Sequence, residues 1–205
     1  MKLYYSPGAC SLSPHIALHE AGLPHELVKV DLKAKKTENG DDFTSINPKG
    51  QVPALQLDNG ELLTEGPVIV QAIADKAAGK NLAPAVGSPE RYRLQEWLNF
   101  ITTEVHKSFG PLFSPVLADD AKAFFKDRVM GKFKYIDSQL AGRDYLMGKQ
   151  FTVADGYLFT MLMWATDRLN FDLSGLPNLT AYKARVAARP KVQEAMTKEG
   201  LTKAA

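Results

Sequence analysis

Apolar and polar positions divide this chain into two stretches of different period. Up to about residue 78, short apolar runs alternate with helix-like segments. Lys2–Tyr5 predicts a strand, broken by Ser6-Pro7-Gly8-Ala9. Ser11–Ala21 predicts a helix, with Pro14 in its first turn, Gly22 just past its end and Pro24 beyond. Leu27–Val30 predicts a second strand. Lys33 to Thr44 is polar and without a clear period, and Phe43 and Ile46 are expected to dock it to a core. Ala54–Leu57 and Glu61–Thr64 flank Asp58-Asn59-Gly60, a hairpin signal because Asn-Gly accepts the positive φ angles of a type I′ turn. Pro67–Ala77 predicts a helix with proline at its first position. The order β-α-β-(α)-β-β-α is that of a small α/β sandwich.

Gly79–Pro89 is rich in glycine and proline and reads as a linker, and no strand pattern follows it. Helical runs are predicted at Glu90–Phe109, Asp120–Leu140, Val153–Leu169 and Asn178–Ala188, with a short one near Lys191–Lys198. Phe125, Val129, Phe133, Ile136 and Leu140 repeat every three or four residues, which makes one buried stripe. Thr152-Val153-Ala154-Asp155 reads as a capping box with Asp in place of the usual Glu. The run after it, Tyr157 to Trp164, is apolar almost all round and belongs in the centre of a bundle. A small α/β domain therefore precedes a larger all-α one.

Composition narrows the class. The chain has 205 residues, 45% of them hydrophobic and 23% charged, the balance of an ordinary globular protein. Its formal charge of +2 argues against a nucleic-acid footprint. The first residues lack the apolar core of a signal peptide, and Tyr157–Ala165 falls far short of the roughly 20 residues a spanning helix needs. A cytoplasmic protein is expected. The single cysteine, Cys10, excludes an internal disulfide and a cysteine-based zinc site. Any redox partner of Cys10 must come from another molecule.

Three segments carry candidate chemistry. Cys10 stands after a strand and turn at the mouth of the first helix, where unpaired N–H groups and the helix dipole favour thiolate over thiol. The string Cys10-Ser11-Leu12-Ser13 lacks a resolving cysteine one turn on, and a small buried filler is the alternative. Val52-Pro53 opens a strand; a cis bond there would turn the Val52 N–H and C=O toward a cleft, ready to pair with an extended peptide. In Thr64-Glu65-Gly66-Pro67 a strand ends and a helix begins, so free N–H groups stand ready for a carboxylate while the Glu65 side chain suits an amine. His15 and His19 have metal-like i, i+4 spacing, yet with His25 beyond the helix no third ligand is apparent, so all three read as structural and no metal site is expected.

Together these pieces resemble a known family. The first ~80 residues are similar to a thioredoxin-like domain. The helical region, with Thr152-x-x-Asp155, Leu179-x-x-Tyr182 and Arg189-Pro190, resembles the cytosolic glutathione S-transferases, and the start YYSPGACSLSPHIALHEAGL resembles their bacterial beta class most closely. The resemblance implies a thioredoxin-like glutathione-binding domain over 1–80, a linker over 81–87, and an all-helical domain over 88–205 with the electrophile site and dimer contacts. It implies glutathione as co-substrate, with the γ-glutamyl head at Glu65 and Gly66, the cysteinyl backbone at Val52, the thiol near Cys10 and the glycine carboxylate at Lys35. Many relatives carry Ser where this chain has Gly66, which removes a hydroxyl contact but keeps the backbone ones.

On the helix Glu90–Phe109, Leu94, Trp97, Leu98, Ile101 and Val105 face a core, while Asn99, Thr103 and His106 share a separate polar face flanked by Lys107. The resemblance places Asn99, Thr103, Glu104, Val105 and His106 near glutathione, with Glu104 reaching that of a partner subunit. His106 is expected to be a proton acceptor with an ordinary pKa near 6.5. The implied reaction is attack of the glutathione sulfur on a carbon bearing a leaving group, such as an aryl halide, with Cys10 and His106 as the catalytic candidates. A small hydrophobic electrophile would meet residues such as Tyr157, Trp164 and Phe109–Phe113. Two alternatives stay open: a glutathione-dependent disulfide reductase or reductive dehalogenase working through a Cys10–glutathione mixed disulfide, and a non-catalytic binding protein on the same fold.

Overall fold

The computed structural model describes residues 1–202. The chain forms two compact units, Met1–Ala83 together with the segment from Ala187 on, and Pro84–Val186.

The first unit is built on a five-stranded mixed sheet in the order β3-β2-β1-β4-β5. The strands are β1 (Lys2–Tyr5), β2 (Glu26–Asp31), β3 (Lys36–Thr37), β4 (Ala54–Gln56) and β5 (Leu62–Thr64). β1 runs parallel to β2, with Leu3 opposite Leu27, and antiparallel to β4, with Leu3 opposite Leu55. Helix α1 (Leu12–Ala21) makes the parallel crossover, α2 (Phe43–Ile46) is a single turn, and α3 (Gly66–Lys76) follows β5. Side chains alternate between the two faces of the sheet. Tyr4, Val28, Val30 and Ala54 form one apolar cluster with Phe43 of α2 and with Val52. The Ser11–Ala21 and Pro67–Ala77 predictions land within one residue of α1 and α3, because Gly22 at φ 67 stops the first helix in the left-handed conformation.

Two expectations differ from the structure. β3 lies inside the stretch read as aperiodic, since a two-residue polar edge strand leaves no alternation to see. The Asp58-Asn59-Gly60 hairpin does form, but only Gly60 takes a positive φ, 87°. With Gly60 N–H donating to Leu57 O and Leu57 N–H to Glu61 O, the turn has the three-residue form that ends in a left-handed glycine, not type I′.

The second unit is helical: α4 (Pro89–Phe100), α5 (Lys107–Phe109), α6 (Asp119–Gln139), α7 (Val153–Met163) and most of α8 (Pro177–Ala187). Ser88 caps α4, its side chain accepting the Arg91 N–H. The stripe on α6 buries Val129, Phe133 and Ile136, and α7 is buried along its whole length, as its apolar sequence predicts. Asp155 closes the expected capping box. Its fully buried carboxylate accepts from Thr152 N–H at 2.7 Å, Thr152 Oγ1 at 2.9 Å, Leu146 N–H at 2.9 Å and Tyr182 OH at 3.0 Å.

The resemblance implies one helical domain over 88–205. In space the last helix, α9 (Pro190–Lys198), packs instead on α1 of the α/β unit. Arg189 grips Glu20 through two hydrogen bonds of 2.7 and 2.8 Å, and buried Glu199 pairs with His15. No described helix is long and apolar enough to cross a membrane.

Candidate functional site

In the α/β unit the turn after β1 carries Cys10 two residues before α1, with Ser11 at the helix cap. The thiol donates to the Val52 carbonyl at 3.2 Å, so the two residues read separately from sequence meet in space. The Val52–Pro53 bond is cis, and the Val52 N–H has no hydrogen-bond partner among the described residues. The turn is fixed from behind: the Gly8 N–H donates to Glu199 Oε2 at 2.7 Å, and Ser11 Oγ accepts the Ser6 N–H at 3.1 Å.

Glu65 caps α3 with φ 69° and ψ 110°, a backbone region that a side-chain-bearing residue holds at a cost of order 1–3 kcal/mol. Such residues concentrate at ligand clamps. Gly66 and Pro67 form the first turn, one position earlier in the helix than the sequence predicts. The Gly66 N–H has no hydrogen-bond partner among the described residues, as expected of an open helix start. The Glu65 carboxylate meets the Lys49 ammonium at 2.7 Å, and Lys49 also donates to Thr64 Oγ1 at 3.0 Å. Lys35, itself at φ 56°, donates from Nζ to Gly50 O at 2.8 Å, which holds its charge two residues from Val52. Cys10, Lys35, Val52, Glu65 and Gly66 thus all belong to loops and element ends of one unit.

The helical unit holds the other five predicted residues, and here the structure changes the reading. The expected straight helix Glu90–Phe109 is interrupted by a π-helical segment, Ile101–His106. Such segments are frequent at functional sites because they shift the side-chain register. Asn99 and Thr103 stay on the surface, with Thr103 Oγ1 donating to Asn99 O at 3.0 Å. Glu104 pairs with Lys132 at 2.7 Å, and the ammonium holds its carboxyl below the usual range. Val105 is fully buried in the helical core.

His106 turns away from that exposed face. Its Nδ1 lies 2.6 Å from the Tyr157 hydroxyl, and its ring stands edge-on to Trp164 at 5.0 Å. Trp164 in turn meets Phe109 and Phe113 edge-on. Burial in this aromatic box, helped by Lys107, pushes the His106 pKa down to about 4. The ordinary value near 6.5 expected from sequence is therefore corrected: His106 is a neutral imidazole at pH 7 and a weak base. When Tyr157 donates to Nδ1, the ring proton sits on Nε2 and His106 is a donor. Lys49 and Glu199 escape sequence reasoning altogether, since neither lies in a spacing pattern and both act through contacts distant in the chain.

Comparison with known proteins bears on this geometry. The family models for the glutathione S-transferase N-terminal and C-terminal domains match residues 8–76 and 104–199. The chain is 48% identical over 201 residues to Glutathione S-transferase GstA of Escherichia coli O157:H7, covering 98% of this chain and 100% of that one. The solved ternary complex of BphK, a bacterial GST, is 56% identical, with a TM-score of 0.96 over 98% of this chain and 100% of that one. A beta-class enzyme of Sphingomonas chungbukensis is 49% identical, with a TM-score of 0.95 over the same shares. With a relative 48% identical over nearly its whole length and family models matching both halves, the chain belongs to the glutathione S-transferase family.

Proposed function

We propose that this enzyme binds glutathione at the turn of Cys10, Val52 and Glu65-Gly66 and joins its sulfur to an electrophilic carbon of a small hydrophobic compound such as a halogenated aromatic. One observation carries the reading: Val52 is poised between Cys10 and an unpaired backbone N–H. An extended peptide pairing antiparallel with Val52 takes both its N–H and its C=O. The C=O is engaged by the Cys10 thiol in the free protein, so docking of the peptide releases that thiol beside the incoming sulfur. The γ-glutamyl carboxylate goes to the Gly66 N–H at the start of α3. Its ammonium goes to Glu65, where the Lys49 ammonium now stands at 2.7 Å. That pair is exposed, and exposed pairs contribute about 0–1 kcal/mol, so it is readily displaced. Lys35 receives the glycine carboxylate. A sphingomonad glutathione S-transferase, 50% identical to this chain with a TM-score of 0.94, has been solved in complex with glutathione.

In conjugation the glutathione thiolate forms a C–S bond, the carbon–halogen bond breaks, and halide leaves. The thiol proton goes to solvent. His106, neutral and with Nε2–H available, acts as a hydrogen-bond donor to developing negative charge and not as a base. The helical unit supplies the electrophile contacts through Tyr157 and Trp164, with Asn99, Thr103 and Glu104 in supporting roles. The same reading takes the enzyme as a cytoplasmic homodimer.

The half-exposed Cys10 thiol supports a second reaction. Its thiolate attacks the glutathione sulfur of a mixed disulfide, and the other sulfur leaves as thiolate. A second glutathione thiolate then cleaves the Cys10–glutathione bond, releasing oxidised glutathione and regenerating Cys10. The test is activity with chloronitrobenzene and with a mixed disulfide, wild type beside Cys10→Ala. Conjugation within a few-fold of wild type and loss of disulfide exchange are expected. Loss of conjugation with exchange intact would overturn the assignment, and failure to bind glutathione at millimolar concentration would favour a non-catalytic protein.

A further inference from the structure

The α/β unit contains a second cluster, remote in chemistry from Cys10. His15 and His19 of α1 and His25, in the loop entering β2, bring one ring nitrogen each to within 4.8 Å of one another. His15 and His19 are buried and His25 is half-buried. The i, i+4 pair is visible in the sequence, but the third member is supplied only by the fold, which returns the chain past α1 after the Gly22 stop.

The tautomers of all three rings are set by their surroundings. His15 Nδ1 lies 2.8 Å from Glu199 Oε1, His19 Nδ1 lies 3.2 Å from Glu194 Oε2, and His25 Nδ1 lies 2.8 Å from Leu23 O. Carboxylates and carbonyls only accept, so each neutral ring carries its proton on Nδ1 and leaves a lone pair on Nε2. All three Nε2 atoms are buried with no hydrogen-bond partner. Ring packing alone gives no reason for three acceptors to be withdrawn from water into one place, because an unpaired buried acceptor costs about 1–3 kcal/mol. A cation that accepts three imidazole lone pairs satisfies all of them at once.

We infer that His15, His19 and His25 form a binding site for a divalent transition-metal ion of the zinc type, coordinated through their Nε2 atoms. Two further features fit it. Imidazole suits zinc, copper, iron and nickel as a ligand. The Nδ1–H groups donate to two carboxylates and one carbonyl, the arrangement that orients metal-bound histidines and raises their basicity. A tetrahedral ion with bonds of ~2.0–2.1 Å needs its nitrogens roughly 3.4 Å apart, so the cluster closes by about an ångström on loading.

The site is distinct from the glutathione turn yet linked to it. Glu199, which orients His15, also receives the Gly8 N–H two residues from Cys10. A bound ion therefore ties α1, the loop before β2 and the C-terminal segment together.

The test uses tag-free protein titrated with cobalt(II) at neutral pH, followed by visible d–d absorption, and with zinc in competition with a chromophoric chelator. One ion per chain is expected, with tetrahedral cobalt bands, no thiolate charge-transfer band, and a rise in Tm that saturates at one equivalent. His25→Gln is expected to weaken binding at least tenfold. Glu194→Gln, at an exposed position with little risk to folding, is expected to weaken it about tenfold. Cys10→Ser and His106→Asn are expected to bind as wild type does. Absence of cobalt bands in the wild-type protein would overturn the inference. So would bands lost in Cys10→Ser, or an affinity unchanged in both His25→Gln and Glu194→Gln.

Discussion

The substitution Gly66→Ser examines the glutathione head-group site by adding an interaction, which avoids the ambiguity of a loss. Gly66 is the first residue of α3, its φ is not positive, and a Cβ built there meets only Pro53 Cγ at 3.9 Å, an ordinary contact. Serine is also the better helix residue, by a few tenths of a kcal/mol. The fold should therefore accept the change, with Tm equal or slightly raised. The new hydroxyl lies at the turn assigned to the γ-glutamyl carboxylate. A hydrogen bond to a charged group contributes ~1.5–3 kcal/mol when shielded. Because Glu65 is exposed and Gly66 only half-buried, about 1 kcal/mol is the reasonable share here, roughly a fivefold gain in affinity. The assay is glutathione binding by calorimetry together with KM for glutathione at saturating chloronitrobenzene. KM should fall about fivefold while kcat stays level, the signature of binding that is uniform between ground and transition states. An unchanged KM in a protein of unchanged Tm would mean that the carboxylate does not reach α3, and the head-group assignment would be withdrawn.

Other expectations follow from the same geometry. Lys35→Met should raise KM for glutathione about tenfold and leave glutathione monoethyl ester, which lacks the glycine charge, nearly unaffected; equal effects on both would deny Lys35 its role. Asp155→Ala strands Thr152 N–H, Leu146 N–H and Tyr182 OH in the core and should cost about 3–5 kcal/mol in urea unfolding, with Asp155→Asn milder because it keeps an acceptor. His106, pushed down to about 4, binds its proton in the unfolded chain before the folded one. Its contribution to stability is therefore full above pH ~6.5 and is lost as pH drops toward 4, on the order of 2–3 kcal/mol, and His106→Asn should flatten that slope in thermal melts. The pH–rate profile of conjugation should show no inflection from His106 near pH 6.5. A wild-type inflection there that vanishes in His106→Asn would restore the histidine as a base.

What could be read in the sequence was whatever is written locally. Gly22 and Pro67 mark helix ends, Asp58-Asn59-Gly60 marks a hairpin, and Thr152 with Asp155 marks a cap, because each acts within a few residues of itself. The strand–turn–helix position of Cys10 and the Val52-Pro53 and Glu65-Gly66 turns were legible for the same reason. Long-range contacts were not. The pairing of Glu199 with His15 spans 184 residues, and that of Arg189 with Glu20 spans 169, so no periodicity reports them. The π-helical segment escaped as well, and the contacts of His106 with Tyr157 and Trp164, 51 and 58 residues on, leave no local sign of the environment that makes it a poor base. His25 looked isolated because three residues after the helix stop carry no spacing rule.

The grip of Glu199 on Gly8 has a consequence for the order in which the enzyme is made. One carboxylate near the end of the chain holds both the turn that carries Cys10 and the buried face of α1. The ribosome releases Met1–Ala83 long before it reaches Glu199, and the helical unit is synthesised in between. Domains usually fold as they emerge, N-terminal first. Here the α/β unit is discontinuous, and the hydrogen bond from the Gly8 N–H to Glu199 forms only after the helical unit has been synthesised. The turn that carries Cys10 thus gains this support from behind later than the strands and helices around it.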